Sequence, residues 1–494
     1  MKLSFGFAAV VLFATPSWAA TCESLASLAL PNTTITMAQP VAAGEFAPPG
    51  RTAAEGPASA VAFKDLPAFC RISATLKPTD DSDIKIEVWL PASGWNHKLE
   101  AVGNGGWAGV ISYGAMADAL HDGYATSSTD TGHLGATGRF ALDHPEKLVD
   151  FGYRAVHEMT LKAKSIIATF YGSAPRMSYW NGCSTGGRQG LKEAQRFPDD
   201  YDGIVAGAAA NPRTHLSSWQ IWLAQGVLGS QNYIPPSKYS VIHKAVLEAC
   251  DSADGLKDGL IEDPSRCHFD PQTIECKAGD QPTCLTAGQV EAAKRMYTAP
   301  PFYFNVEPGS ELGWSMLARG PEPFSAATDQ FRYVVFKNPA WDWHTFKQDS
   351  DVALADKIDH DTINASDPNI KAFVAHGGKL LMYHGWADPG VPPLASVNYY
   401  QAAMDALGGE AKTSNSIRLF MVPGMGHCGG GEGPNTFDMM SAMSAWRENG
   451  KTPGRIIASR PGRTRPLCAY PQVAKYKGTG SIDEAENFVC AVPK

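Results

Sequence analysis

No cluster of lysine and arginine stands out in this chain, and its 42 basic residues are outnumbered by 50 acidic ones, for a net charge of −8. Phosphate contact needs a basic surface, so the composition argues against nucleic acid as a partner and gives no support for attraction to a membrane surface. Beyond the N-terminus no apolar run approaches the roughly 20 residues that a membrane-spanning helix requires. There is no CxxC pair and no Cys/His cluster at zinc spacing, which argues against a zinc centre. Internal repeats and low-complexity tracts are also missing.

What is there begins at the N-terminus. Lys2 precedes a short apolar run over residues 3–14, and small residues follow at Ser17, Ala19 and Ala20. That order predicts a secretory signal over residues 1–20 and export to the periplasm or the medium. Ten cysteines in an exported chain predict disulfides, and short separations favour Cys250 with Cys267, Cys276 with Cys284, and Cys468 with Cys490. At 494 residues the chain exceeds the size at which one core keeps growing, so a large insertion or a second domain is expected.

Residues 83–90 (DIKIEVWL) alternate polar and apolar side chains as a half-buried strand does. Residues 98–102 form a second short strand that runs into a glycine-rich turn, residues 103–109. Residues 148–171 carry an apolar helical stripe through Val149, Tyr153, Val156, Leu161 and Ile166. Strands at 176–181 and 202–207 flank a helical stretch at 187–197. The alternation resumes at 379–384 and 417–422. Strands alternating with helices predict an α/β fold with a mostly parallel sheet covered on both faces. Residues 208–378 interrupt the pattern with acidic turns and many aromatics. A structureless loop of that length is implausible, so an inserted lid domain is expected there, with 21–207 and 379–494 forming the catalytic domain.

Gly182-Cys183-Ser184-Thr185-Gly186 fits G-x-S-x-G, placed between a strand and a helix as a nucleophile elbow requires. The flanking glycines permit a tight turn that lifts the Ser184 hydroxyl above the sheet. The Thr185 N–H, at the start of the helix, can then stabilise an oxyanion. One of Gly103, Gly105 or Gly106 is expected to give a second N–H. A serine needs a base, and in this arrangement the acid and then the histidine follow it in sequence. Asp388, in HGWADPG, and His427, in PGMGHC, both lie just past strands, where open α/β sheets build their sites. His384 sits at a strand end and reads as structural. Asp199 and Asp200 read as a solvated turn. Cys183 precedes the candidate nucleophile and Cys428 follows the candidate base, so a bond between them would hold both residues side by side, with Cα atoms roughly 5.5–6 Å apart.

The Cys183-Ser184, Asp388 and His427-Cys428 pattern resembles the CS-D-HC pattern of the tannase/feruloyl esterase family, which also contains a bacterial mono(2-hydroxyethyl) terephthalate hydrolase. The similarity runs from about Cys22 to Cys490 and includes GCSTGGR from Gly182, FPDDYDGIVAG from Phe197 and RTRPLCAYP from Arg463. The resemblance implies an α/β-hydrolase fold with an inserted lid and a secreted serine esterase. It also implies Gly106 as the second oxyanion donor and the pairs Cys22–Cys70, Cys183–Cys428, Cys250–Cys267, Cys276–Cys284 and Cys468–Cys490.

Residues 250–263 (CDSADGLKDGLIED) crowd five acidic residues into a glycine-kinked loop. Such a cluster can be a solvated turn or a site for a hard cation with oxygen ligands, and its spacing is not that of an EF-hand. The resemblance implies structural Ca²⁺, held by the carboxylates of Asp251, Asp254 and Asp258 and the carbonyls of Leu256 and Leu260. Most of Trp219, Trp222, Trp314, Phe331, Tyr333, Phe336, Trp341 and Trp343 are expected in the core, with a few lining a cleft for an aromatic acyl group. The terephthalate-cleaving relative carries a longer lid with an arginine for the substrate carboxylate. Residues 324–343 here are shorter, and Arg332 has no clear equivalence to that arginine. A neutral hydroxycinnamoyl ester is therefore the favoured substrate, with galloyl esters or terephthalate monoesters as alternatives. A peptidase of the same fold, or a non-catalytic binding protein, are the readings from other classes.

Overall fold

The computed structural model describes residues 20–49, 62–229 and 231–493. The expected signal segment lies outside the described residues, except for Ala20.

A nine-stranded sheet forms the centre, with strands β1 (Thr33–Val41), β2 (Phe69–Leu76), β3 (Ile84–Pro91), β4 (Lys98–Val102), β5 (Ala125–Thr129), β6 (Met177–Cys183), β7 (Gly203–Gly207), β8 (Lys379–Gly385) and β9 (Ile417–Val422). Their spatial order is β1-β2-β3-β5-β4-β6-β7-β8-β9. The first three strands and β5 pair antiparallel; from β5 onward every pairing is parallel. The chemistry of each strand follows its place. β2 alternates buried and half-buried residues, as a strand with one covered face does, whereas all five residues of β7 are buried because helices cover both faces.

The stripe over residues 148–171 forms three linked helical segments rather than one helix. They are Pro145–Val149, a wide π-turn at Asp150–Arg154, and Ala155–Tyr171. The wide turn seats Asp150, Phe151 and Gly152 in the interior. A Cβ on Gly152 would lie 2.6 Å from the Thr362 carbonyl oxygen, so the close crossing there depends on glycine.

Between β7 and β8 the chain leaves the sheet and builds helices including Arg213–Val227, Tyr239–Cys250, Ala287–Met296 and Gln348–Asp359. One apolar cluster in this region gathers Trp219, Val246, Leu285, Val290 and Trp314, and another gathers Phe331, Trp341, Trp343 and Phe346. Toward the end of the segment, Ala365, Ile370 and Phe373 pack into the core beneath the sheet instead. Two small antiparallel hairpins close the C-terminal region, Arg455–Arg460 with Arg463–Cys468 and Val473–Tyr476 with Phe488–Ala491.

Five disulfides are present: Cys22–Cys70, Cys183–Cys428, Cys250–Cys267, Cys276–Cys284 and Cys468–Cys490. Such a set belongs to an oxidising compartment. Among the described residues no helix is long and apolar enough to cross a membrane.

Candidate active site

Ser184 follows β6 and precedes the helix Thr185–Arg196, with φ 62° and ψ −120°. A non-glycine residue pays a steric cost there, and the surroundings hold it in place. Its N–H donates to the Gly207 carbonyl (2.9 Å), while its own carbonyl accepts from Arg188 (3.0 Å) and Ala210 (3.1 Å). A Cβ on Gly182 would meet the Gly186 carbonyl carbon at 2.6 Å, so the elbow closes only because side chains are missing there.

The glycine-rich loop after β4 faces this turn. The Thr185 hydroxyl donates to the Gly106 carbonyl (2.9 Å), which ties the two proposed oxyanion positions together. Gly103 is already committed, since its N–H donates to the Asn181 carbonyl (3.0 Å). Gly106 has φ +54°, and a Cβ there would meet no atom within 4 Å. The loop is held to the helix Thr185–Arg196 by a two-way amide pair: Asn104 N donates to Gln189 Oε1 (3.1 Å), and Gln189 Nε2 donates to Asn104 Oδ1 (3.1 Å). Sequence reasoning missed this pair, because an asparagine and a glutamine 85 positions apart carry no local signal.

Asp388 is fully buried beyond β8, and His427 lies beyond β9 with 18% of its side chain exposed. His427 Nδ1 donates to Asp388 Oδ2 (2.7 Å), leaving Nε2 for a substrate-side partner. Asp388 Oδ1 accepts from the N–H groups of Gly390 (2.8 Å) and Val391 (3.0 Å). His384, set aside as structural, has a definite task. Its Nε2 donates to the same Asp388 Oδ2 (3.0 Å) and to the Val391 carbonyl (3.0 Å), while its Nδ1 accepts from the Ser396 hydroxyl (2.7 Å). Burial alone would raise the Asp388 carboxyl, but His427 and His384 overcome it and hold the acid well below the usual carboxylate range. Burial works against a proton on His427, and Asp388 outweighs it, so the imidazole is raised above 6.5.

A pH prediction follows from that sign. Only neutral His427 accepts a proton, so kcat/KM should climb with pH through a limb centred above 6.5. Asp388→Asn should move that limb to lower pH; a limb unmoved in this variant would contradict the assignment.

The Cys183–Cys428 bond brings the Ser184 and His427 loops together with Cα atoms 5.9 Å apart, across a sequence separation of 245. Beside His427 opens a cavity of about 340 Å³, lined among others by Leu260, Pro308, Met316, Trp386 and Pro389. Its lining includes His427 and not Ser184.

The acidic loop packs near this cavity through Leu260. Asp251 accepts from the N–H groups of Asp258 (3.2 Å) and Gly259 (3.0 Å), and Asp254 from that of Leu256 (2.8 Å). Asp258 meets the Arg465 guanidinium, and Arg463 donates to its carbonyl (3.1 Å). Of the aromatics, Trp219, Trp314, Phe331, Trp341 and Trp343 are buried in the two clusters above the sheet. Trp222 is half-buried under the Arg295 guanidinium, 3.7 Å from its ring centre. Arg332 spends its Nε–H on the Trp341 carbonyl (3.3 Å). One expectation is corrected: Asp200 is not solvated but 5% exposed, bonded to His157 Nδ1 at 2.6 Å. A turn of polar residues gave no hint of the helix that covers it.

A mostly parallel sheet with a serine at the elbow between β6 and its helix, and a histidine–aspartate pair presented beyond β8 and β9, defines the fold of an α/β-hydrolase. The family description "Tannase and feruloyl esterase" matches residues 70–330 and 324–491. The chain belongs to the tannase and feruloyl esterase family and is a carboxylic ester hydrolase. It is 35% identical to an uncharacterized esterase of Xanthomonas campestris pv. campestris over 97% of this chain and 92% of that one. It is 34% identical to a probable feruloyl esterase B-2 of Aspergillus terreus, over 96% and 95%. The crystal structure of feruloyl esterase B from Aspergillus oryzae superposes with a TM-score of 0.89 at 31% identity, covering 95% of this chain and 99% of the other. Tannin acyl hydrolase from Aspergillus niger shares the fold, with a TM-score of 0.78 at 23% identity over 97% of each chain.

Proposed function

We propose that this chain hydrolyses feruloyl-type, hydroxycinnamoyl esters through an acyl-enzyme on Ser184, with residues 208–378 serving as the lid. The observation that carries the chemistry is the disulfide that sets the serine loop beside a histidine already oriented by a buried carboxylate. Ser184 Oγ attacks the ester carbonyl and passes its proton to His427 Nε2. The N–H groups of Thr185 and Gly106 take the charge that develops on the carbonyl oxygen. His427 then gives the proton to the departing alcohol oxygen, leaving the acyl group on Ser184. Water repeats the sequence and releases the aromatic acid. Asp388 keeps its charge throughout and stabilises the imidazolium.

The acyl preference rests on the relatives named as feruloyl esterases. Methyl ferulate, methyl gallate and a terephthalate monoester, measured side by side, test it. The expected result is a kcat/KM for ferulate at least about tenfold above the other two, a size that pocket fit alone can supply. Preference for gallate or for the monoester would assign the alternative substrate.

We also propose that the loop at 250–263 holds a structural Ca²⁺ through Asp251, Asp254, Asp258 and the carbonyls of Leu256 and Leu260. The residues suit a hard cation. The loop offers the oxygen ligands such an ion takes, three carboxylates and two backbone carbonyls, and the Arg465 guanidinium meets only Asp258 among the three carboxylates. The ion would fasten the lid to the C-terminal hairpin that supplies Arg463 and Arg465, and would take no part in acyl transfer. Chelation should lower Tm by a few degrees, since an ion bound at about 100 times its Kd stabilises by about 2.7 kcal/mol. Turnover at low temperature should persist. Immediate, reversible loss of turnover without unfolding would contradict a structural role.

A further inference from the structure

We propose that His157, Glu193 and Asp200 form a second cation site, suited to a divalent ion of the zinc or manganese type, at the far end of the nucleophile helix. His157 comes from the helix Ala155–Tyr171, Glu193 from Thr185–Arg196, and Asp200 from the turn before β7. One ligand atom from each lies within 4.8 Å of the other two, the one such trio among the described residues.

The second observation is Glu193 itself. It is 1% exposed, and neither of its carboxylate oxygens meets a donor; it lies against the Asp200 carboxyl, a pairing that needs a shared proton or a cation between them. A buried carboxylate with no donor is costly unless a cation or a proton meets it. The cations within electrostatic reach are spent elsewhere. Lys164 Nζ donates to the Asp200 backbone carbonyl (2.5 Å), and Arg188 donates to the carbonyls of Gly152 (2.8 Å), Ile363 (3.0 Å) and Phe151 (3.3 Å). The imidazole is already oriented: Phe197 stacks on it with centroids 3.8 Å apart, and Nδ1 meets Asp200 Oδ2 at 2.6 Å. That arrangement fixes the ring, and an ion taken at Nδ1 would displace the proton this nitrogen donates to Asp200.

One imidazole nitrogen with two carboxylates is the borderline donor set that zinc and manganese accept, whereas calcium prefers oxygen alone. The trio therefore differs in kind from the acidic lid loop. Glu193 lies nine positions, or about 13 Å of helix rise, from Ser184. An ion there touches no reacting atom. It would instead pin the helix that carries the nucleophile to its neighbour and to the entry of β7.

The test uses the full chain, stripped of metal and then saturated with Ca²⁺ so that the lid loop is occupied. Titration with Zn²⁺ or Mn²⁺ by calorimetry should show one ion per chain, with proton release and a rise in Tm. His157→Gln and Glu193→Gln should each weaken uptake at least about tenfold, while Asp254→Asn binds as the wild type does. Ester turnover at low temperature should stay unchanged in the two site variants. If those variants fail to fold, the wild type loaded with Co²⁺ decides, because a single paramagnetically shifted imidazole signal is then required. Wild-type protein that takes up neither ion, uptake unaltered in both variants, or a Co²⁺ complex without that signal would overturn the site and leave Glu193 neutralised by a proton.

Discussion

Ser184→Ala should lower kcat on methyl ferulate by at least about three orders of magnitude, with Tm close to that of the wild type. The size follows from what is removed. The hydroxyl is the atom that bonds to the acyl carbon, and no other group at the elbow can replace it; the oxyanion donors and substrate binding remain and set the residual rate. The fold should tolerate the change, because the elbow is held by backbone contacts of Ser184 to Gly207, Arg188 and Ala210 rather than by its side chain. Alanine does retain the strained φ of 62°. A variant turning over within tenfold of the wild type would reject Ser184 as nucleophile. A fluorophosphonate probe that fails to label the folded wild type would favour a non-catalytic role for this fold.

Removing the Cys183–Cys428 bond should have the second largest effect, and on two properties at once. The bond closes a loop with a separation of 245 residues, for which the chain-entropy relation gives about 5 kcal/mol. That is a large share of the stability of an ordinary domain. It also fixes the distance between the loops of the nucleophile and the base, and a displacement of about 1 Å between reacting groups can cost about a hundredfold in rate. Cys183→Ala with Cys428→Ala is therefore expected to lower Tm strongly and to lower kcat at least about tenfold at temperatures where the variant is still folded. The matched control is Cys276→Ala with Cys284→Ala, which opens a separation of only 8 and lies in the insertion. It should cost roughly half as much stability and leave kcat nearly unchanged. A kcat within twofold of wild type in the first variant, measured on folded protein, would show that the bond is not what aligns the site.

Much of the site was readable because its signals are local. The elbow is five consecutive residues between a strand and a helix, and Asp388 and His427 each follow a run of strand-forming residues. The cysteines added what spacing could not, since one neighbours each reacting residue. What the chain order hid were the groups that act across the fold. His384 read as a strand-end histidine, yet it shares the carboxylate of Asp388 with His427. Asp200 read as solvated because its neighbours are polar, while the side chain that covers it, His157, lies 43 positions earlier. Of the stripe expected over 148–171, Val156 and Ile166 are buried but Leu161 is 39% exposed, because the wide turn at Asp150–Arg154 and the following helix bury Met159, Ala163 and Ile167 instead.

By itself the sequence carried the alternation of strands and helices around the site, the elbow, and Ser184, Asp388 and His427 as candidates for nucleophile, acid and base. Those features depend on local periodicity and on the backbone freedom of particular glycines, which any stretch of chain carries with it. Only the tertiary structure decided that His384 shares the carboxylate of Asp388 with His427, where the aromatics of the insertion pack, and that Glu193 is buried without a donor. Burial and hydrogen bonding are settled by atoms that meet through space, after the chain has closed on itself.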